Sequence, residues 1–290
     1  MKPASFEYVT ARTVEEAVRA LADSEGEGKC LAGGQSLVPL MNFRLARPPL
    51  LVDLGQVDEL RQLRHDDDGS LVVGALVTHR EVAGSPLIAE RVPLLAEAAR
   101  EVGHAAIRNR GTIGGSFAHA DPVAELPCVG LTLDAEIVAA GPHRRRTIAA
   151  ADFFQGPFTT ALAADEVLVE IRFPASGAER SGWAFCELAR RRGDLAVVGV
   201  AAQLERRGQR LSARIGLAGV AGRPVRAVAA EAGLSGATPD AASFRAAGEA
   251  VAASLAPPSD IHGSAALRRR VASVLTERAL ERAARRLEAA

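Results

Sequence analysis

Ala32-Gly33-Gly34-Gln35-Ser36-Leu37 decides how the first part of the chain is read. Lys29 to Ala32 reads as a short strand, and Gly33 to Ser36 as the turn that follows it. Ser36 is placed to cap a helix carrying Leu37, Leu40, Met41 and Leu45. Upstream, Thr13-Val14-Glu15-Glu16 is a capping box, and Val14, Ala17, Val18 and Leu21 share one helical face. Downstream, Pro48-Pro49 closes the unit and Leu50 to Leu54 reads as the next strand. This opening stretch is therefore β/α in character, with a glycine turn joining strand to helix.

Gly111-Thr112-Ile113-Gly114-Gly115-Ser116 has the same character further along. Glycine permits positive φ and close backbone approach, so neighbouring N–H groups can converge on an anion. A helix start beside such a loop adds partial positive charge, which suits a pyrophosphate. Two loops of this kind in one region point to a dinucleotide. The usual cradles are absent: there is no G-x-G-x-x-G. Gly28-Lys29-Cys30 also lacks the upstream glycine and the hydroxyl residue of a P-loop.

Around the second loop the pattern is mixed. Leu60 to Leu63 and Ser70 to Leu76 read as a hairpin around Asp66-Asp67-Asp68-Gly69, and Leu94 to Val102 reads as a helix. Asp121-Pro122 reads as a cap followed by a first-turn proline. Glu136 to Ala140 and Glu166 to Phe173 are strands. Pro174 to Gly182 is small, polar and aperiodic, and marks the expected boundary. Beyond it come a strand pair, Leu195 to Leu204 and Leu211 to Val220, and three helical stretches near 225–232, 241–255 and 264–287.

Composition narrows the function. The 35 basic and 35 acidic residues cancel, leaving no long-range field for nucleic acid or an anionic membrane. No apolar run approaches the length of a membrane helix, and the first residues lack a signal-peptide core, so a cytoplasmic protein is expected. Cys30, Cys128 and Cys186 are too few and too scattered to hold an iron–sulfur cluster unaided.

Ala32 to Leu37, Thr112-Ile113-Gly114-Gly115-Ser116 and Asp121-Pro122-x-x-Glu125 resemble the flavin-binding signatures of the molybdenum hydroxylase medium subunit. That group includes carbon monoxide dehydrogenase, xanthine dehydrogenase and bacterial aldehyde and N-heterocycle dehydrogenases. Phe154-x-Gly156-Pro157 with Thr160-Ala161-Leu162 is similar to a further family stretch, as is Asp165-Glu166-x-Leu168. So are Phe185-x-Glu187-x-Ala189-Arg190-Arg191-x-Gly193-Asp194 and Asp260-x-His262-Gly263-Ser264. The resemblance runs in order through essentially the whole chain.

It implies an α+β fold with a flavin-binding domain of the vanillyl-alcohol-oxidase type over residues 1–176, in subdomains of about 1–56 and 57–176. A three-stranded antiparallel sheet with a helix bundle would follow over 177–290. It implies one FAD contacted by Ala32, Gly33, Gly34, Gln35, Ser36 and Leu37 from the first loop. Gly111, Thr112, Gly114, Gly115 and Ser116 would contact it from the second. Glu125 would lie against the ribityl or ring side and Leu168 against the ring face, with Asp121 nearby. On this reading Gly114→Val should abolish flavin binding while the chain still folds.

No general acid, base or nucleophile is expected in this chain. The resemblance implies a large partner holding a molybdenum–pterin cofactor and a small one holding two [2Fe–2S] clusters, assembled as a dimer of heterotrimers. Electrons would pass from a cluster through FAD to an outside acceptor. A stand-alone flavin oxidase or reductase on the same fold is the alternative. Three departures stand out. Gln35 occupies a position where carbon monoxide dehydrogenases resemble Ala-Gly-Gly-His-Ser, which speaks against carbon monoxide as substrate. Leu195 replaces a frequent aromatic residue, and Cys186 falls where xanthine-dehydrogenase-like members carry a lysine. The run Arg190 to Arg192 reads as solvated.

Overall fold

The computed structural model describes residues 2–289. Strands β1 (Glu7–Thr10), β2 (Lys29–Leu31) and β3 (Leu50–Asp53) form a parallel sheet in the order β1-β3-β2. Helices α1 (Val14–Asp23) and α2 (Leu37–Asn42) supply the connections. Val14, Ala17, Val18 and Leu21 are the buried face of α1, and the Thr13 hydroxyl accepts the Glu16 N–H. Glu16 itself reaches past the cap to accept the Arg12 N–H.

A second, antiparallel sheet follows. Its strands are β4 (Leu63–His65), β5 (Leu71–Gly74), β6 (Glu136–Ala140) and β7 (Arg145–Ala149). After a small ribbon of β8 (Phe154–Gly156) and β9 (Thr159–Thr160), β10 (Val167–Phe173) returns to the middle, giving the order β4-β5-β10-β6-β7. The strand expected over Leu60 to Leu63 is displaced to Leu63–His65. Asp58–Arg61 is a single 3-10 turn, and the Leu60 side chain inserts fully into the core while its carbonyl accepts the Leu76 N–H at 2.7 Å.

Between β5 and β6 the chain makes α3 (His79–Gly84), α4 (Pro86–Arg91), α5 (Pro93–Glu101), α6 (Ala105–Arg108), α7 (Ile113–His119) and α8 (Glu125–Thr132). A short α9 (Ala150–Phe153) follows β7. Helix α8 is buried on every side, as a helix apolar all round must be. Asp121-Pro122 does not start it. Ala124 occupies the cap position, and the Asp121 carboxylate closes a turn by accepting the Val123 N–H, so the helix begins at Glu125.

The third sheet contains β11 (Arg180–Ala189), β12 (Ala196–Arg207), β13 (Arg210–Ala218) and the two-residue β14 (Val225–Arg226), in chain order. One face carries Ala184, Val198, Val200, Ala202 and Leu204 and packs on α10 (Val228–Leu234), α11 (Ala241–Ser254) and α12 (Ala265–Ala289). The other face carries Phe185, Ala201 and Ala218, which join the core of the first half. Small residues make that approach possible. A Cβ on Gly216 would lie 2.0 Å from the Thr132 hydroxyl of α8.

Polar ties reinforce the seam between the halves. Glu97 on α5 accepts from Arg282 (2.6 Å) on α12 and from the Phe185 N–H (3.2 Å), and Arg286 binds its second oxygen at 2.5 Å. Arg226 bridges Glu231 and Asp134, each at 2.7 Å. Deep in the second half, Arg268 is 3% exposed. It grips Asp260 bidentately and donates to the carbonyls of Val197 and Gly219. The Gly219 N–H in turn donates to Pro122 O at 2.9 Å, so the Asp260 motif reaches the first half through one arginine.

Candidate functional site

The two glycine loops meet, although Gly33 and Gly111 are 78 positions apart in the sequence. A Cβ added to Gly33 would fall 2.1 Å from the Arg110 carbonyl oxygen and 2.8 Å from the Gly111 Cα. One added to Gly115 would lie 3.9 Å from the Ala32 Cβ. Ala32 and Gly33 thus lie flat against the second loop, and no larger residue than glycine fits at 33.

Within this junction the backbone is used in two ways. In the first loop, Gly34 takes a left-handed φ of +71°. The N–H groups of Gly33, Gly34, Gln35, Ser36 and Leu37 have no acceptor among the described residues. The Ser36 hydroxyl, expected to cap α2, makes no capping bond. In the second loop the amides are already engaged. The Ile113 N–H donates to Val77 O and the Gly114 N–H to Ala75 O, both at 3.0 Å. The Gly115 N–H donates to the Thr112 hydroxyl at 3.1 Å, so Thr112 caps α7.

Gly114 is accordingly a packing residue. A Cβ there would sit 2.5 Å from the Ala75 Cβ and 2.7 Å from its backbone. The expectation that Gly114→Val removes flavin while sparing the fold is therefore revised: the substitution strikes the fold first. Ser116, half-buried on the next turn, keeps a hydroxyl with no partner among the described residues.

The remaining expected residues are more dispersed. Leu168 is 5% exposed and belongs to the core of the first half, one strand behind α7. Asp121 is half-buried in its turn. Glu125 is buried at the start of α8, and burial first, then the charges of Asp121 and Glu101, pushes its carboxyl up to about 7. His119 stacks on the exposed Phe158 at 5.0 Å between ring centroids. Leu195 is exposed. Arg191 pairs with Asp194 at the surface, and Arg190 and Arg192 are also exposed, as expected for a solvated run.

Two further residues escaped sequence reading, one behind the second loop and one on the seam between the halves. His79 is buried behind the second loop, where desolvation holds its imidazole down to about 4; neutral at ordinary pH, it donates through Nε2 to Thr112 O at 2.9 Å. Its own N–H donates to Gly111 O. A capping box, Thr78 with Glu81, flags the start of that helix, yet nothing in the sequence aims the ring at residue 112. The second is Arg282, whose guanidinium lies 3.2 Å from the Cys186 sulfur. A cation thus stands beside Cys186, which departs from the lysine of xanthine-dehydrogenase-like members, but it comes from a distant helix.

Among the described residues, no group of His, Cys, Asp and Glu is arranged to hold a metal ion. No helix among them is long and apolar enough to cross a membrane. A surface cleft of about 660 Å³ between β1 and α1 includes no residue of either glycine loop. What the junction offers is a row of free backbone donors on a glycine turn, backed by a rigid helix start. Such a surface suits the phosphates of a nucleotide.

The fold and this junction define a flavin-binding electron carrier. Residues 4–176 match the FAD binding domain in molybdopterin dehydrogenase, and residues 183–283 match the CO dehydrogenase flavoprotein C-terminal domain. The chain belongs to the family of FAD-binding medium subunits of the molybdenum hydroxylases. It is 42% identical to the 6-hydroxypseudooxynicotine dehydrogenase complex subunit alpha of Paenarthrobacter nicotinovorans, across 99% of this chain and 97% of that one. It is 38% identical to the carbon monoxide dehydrogenase medium chain of Hydrogenophaga pseudoflava, across 98% of each. Among solved structures, quinoline 2-oxidoreductase from Pseudomonas putida 86 superposes with a TM-score of 0.93 at 41% identity, covering 98% of this chain and 99% of that one.

Proposed function

We propose that this chain holds one FAD across the junction of its two glycine loops and relays electrons from the [2Fe–2S] clusters of a small partner subunit to an external acceptor. A large partner would carry the molybdenum–pterin cofactor and oxidise the substrate. The observation that carries the reading is the row of unpaired N–H groups from Gly33 to Leu37, held against Arg110 and Gly111. FAD would supply a carrier that accepts electrons singly and stores two. The chain's own residues bind and orient. The first loop would receive the pyrophosphate on its amides, with Ser36, Ser116 and Gln35 adding side-chain contacts. Ala32, Gly111, Thr112 and Gly115 would shape the floor, and Gly114 would set the position of α7 from beneath. Leu168, Asp121 and Glu125 support the ring side from the core.

We further propose that the flavin domain ends near residue 176, with subdomains of about 1–56 and 57–176, and that residues 177–290 form the second domain. The separate sheets, and the change of core between them, support this division. The full assembly would be a dimer of heterotrimers in the cytoplasm, with closed two-fold symmetry as the usual arrangement. The alternative of a self-sufficient oxidase would need acid or base side chains over the flavin, and the free amides themselves supply none.

The test is acid extraction of the purified protein followed by chromatography. Equimolar, non-covalent FAD is expected. An extract containing only FMN, or no flavin, overturns the proposal. Turnover of a heterocycle or aldehyde by the chain alone would favour the oxidase.

A further inference from the structure

Behind the second glycine loop stands a buried histidine whose contacts run through to the first. His79 is the first residue of α3, and the Thr78–Glu81 capping box holds its backbone. The Glu81 carboxylate accepts the Thr78 N–H at 2.7 Å, and the Thr78 hydroxyl accepts the Glu81 N–H at 3.2 Å. From Val77 to His79 the chain runs antiparallel to Gly111–Ile113. The His79 N–H donates to Gly111 O at 2.9 Å, and the Ile113 N–H donates back to Val77 O at 3.0 Å. The ring adds a bond that pairing of the backbones does not make, from Nε2 to Thr112 O at 2.9 Å. That carbonyl also accepts the Ser116 N–H at 3.0 Å, the first helical bond of α7.

These partners fix the state of the ring. A carbonyl oxygen only accepts, so Nε2 carries the proton and Nδ1 is a bare acceptor. Nδ1 is shut off from solvent and has no partner among the described residues. A charged imidazole would put a second N–H there with nothing to receive it, and burial keeps the ring neutral. The ring packs on Gly111: a Cβ added there would fall 3.0 Å from Nδ1 and 3.1 Å from Cε1. Gly111 in turn touches the first loop, where a Cβ on Gly33 would fall 2.8 Å from the Gly111 Cα. Imidazole, Gly111 and Gly33 are therefore in successive contact, with no side chain between the ring and the first loop.

We propose that His79 is the positioning residue of the flavin cradle: through Gly111 and the Thr112 carbonyl, its ring sets how closely the second loop backs the free amides of the first. This rests on the reading that FAD binds at the junction. His79 lies behind the loop and acts through it. With the bond in place, the peptide after Thr112 has one orientation, and Gly111 has a flat, unyielding surface behind it. Without the bond, that peptide is free to turn and Gly111 to draw back from Gly33. The N–H groups from Gly33 to Leu37 then lose the rigid backing that holds them ready for a pyrophosphate, and ordering them again costs binding energy.

The experiment titrates FAD, and separately ADP, into the flavin-free full chain at a temperature where every variant is folded by its unfolding curve. His79→Leu keeps most of the volume and removes the donor. Its FAD affinity should fall about tenfold, the scale of one lost buried hydrogen bond. ADP carries a pyrophosphate without the flavin ring and should weaken by the same factor. His79→Gln brings an amide N–H to about the place of Nε2 and should recover most of the loss for both ligands, which a role in filling space alone would not produce. Should His79→Leu fail to fold, His79→Asn takes its place, since its amide is too short to reach Thr112 O. Affinities equal to wild type in the donor-less variant overturn the inference, and so does a loss that His79→Gln leaves unrepaired. A wild-type chain that takes up no FAD overturns the flavin reading itself, whatever the variants do.

Discussion

The two glycine loops look interchangeable in sequence, yet they do opposite work. Gly33 and Gly34 shape a turn whose following amides stay free, and Ser36 leaves α2 uncapped by its side chain. Gly114 and Gly115 begin a helix whose first amides are engaged, by Val77, by Ala75 just past β5 and by the Thr112 hydroxyl. In one place glycine clears room for something that is not protein, and in the other it lets helix and strand touch. A buried, hydrogen-bonded glycine turn is a poor receptor because its donors are spent. The first loop should therefore control ligand affinity and the second should control stability.

The largest effect that separates the loops is expected from Gly114→Val. Branching at Cβ forces α7 off Ala75 and should cost about 3 kcal/mol of stability, in the range of severe overpacking. Thermal or urea unfolding of the flavin-free protein checks this. An unchanged midpoint would mean that the helix and strand have room to part.

Ser36→Asp should do the reverse. A carboxylate among free amides is tolerated by the fold but opposes an incoming pyrophosphate. FAD affinity should fall about tenfold or more, equivalent to about 1.4 kcal/mol. Flavin-free stability should move by less than about 0.5 kcal/mol. Titration of the apoprotein with FAD gives the answer, and unaltered affinity would place the phosphates elsewhere.

The smallest effects form a matched pair. Thr112→Ala removes a real cap and should cost about 1 kcal/mol, whereas Ser36→Ala removes none and should cost a few tenths at most. Equal losses in the two variants would erase the distinction between the loops.

Much of the fold is legible because it rests on local periodicity. The α1 face, the short strands β2 and β3 and the strand pair around Gly208 all follow from spacing within a dozen residues, whereas β1 was not read. β11 is harder to see, since the face toward the first half mixes Trp183, Phe185 and Glu187, and the face toward the helices carries Ala184 and Cys186. Asp121-Pro122 imitates a helix start three residues early, because a side-chain turn and a cap use the same residue types. In the site, the loops themselves were readable. Their unequal roles were not, since those depend on Ala75 and Val77, which reach residues 113 and 114 only through the tertiary fold. The ties between Glu97 and Arg282 or Arg286 span 185 and 189 positions and leave no local trace.

Those last ties bear on how the molecule is made. Glu97 belongs to the first half, yet both guanidiniums that neutralise it lie in the final helix. While the chain is being synthesised, the first half must wait with an uncompensated carboxylate on α5 and no sheet against α8. Domains generally settle in the order in which they leave the ribosome. Here the early half can acquire its core but cannot close its far side until residues 282–286 have emerged. The period of exposure is therefore set by translation time, and it is in that interval, more than in the finished protein, that a chaperone has a face to hold.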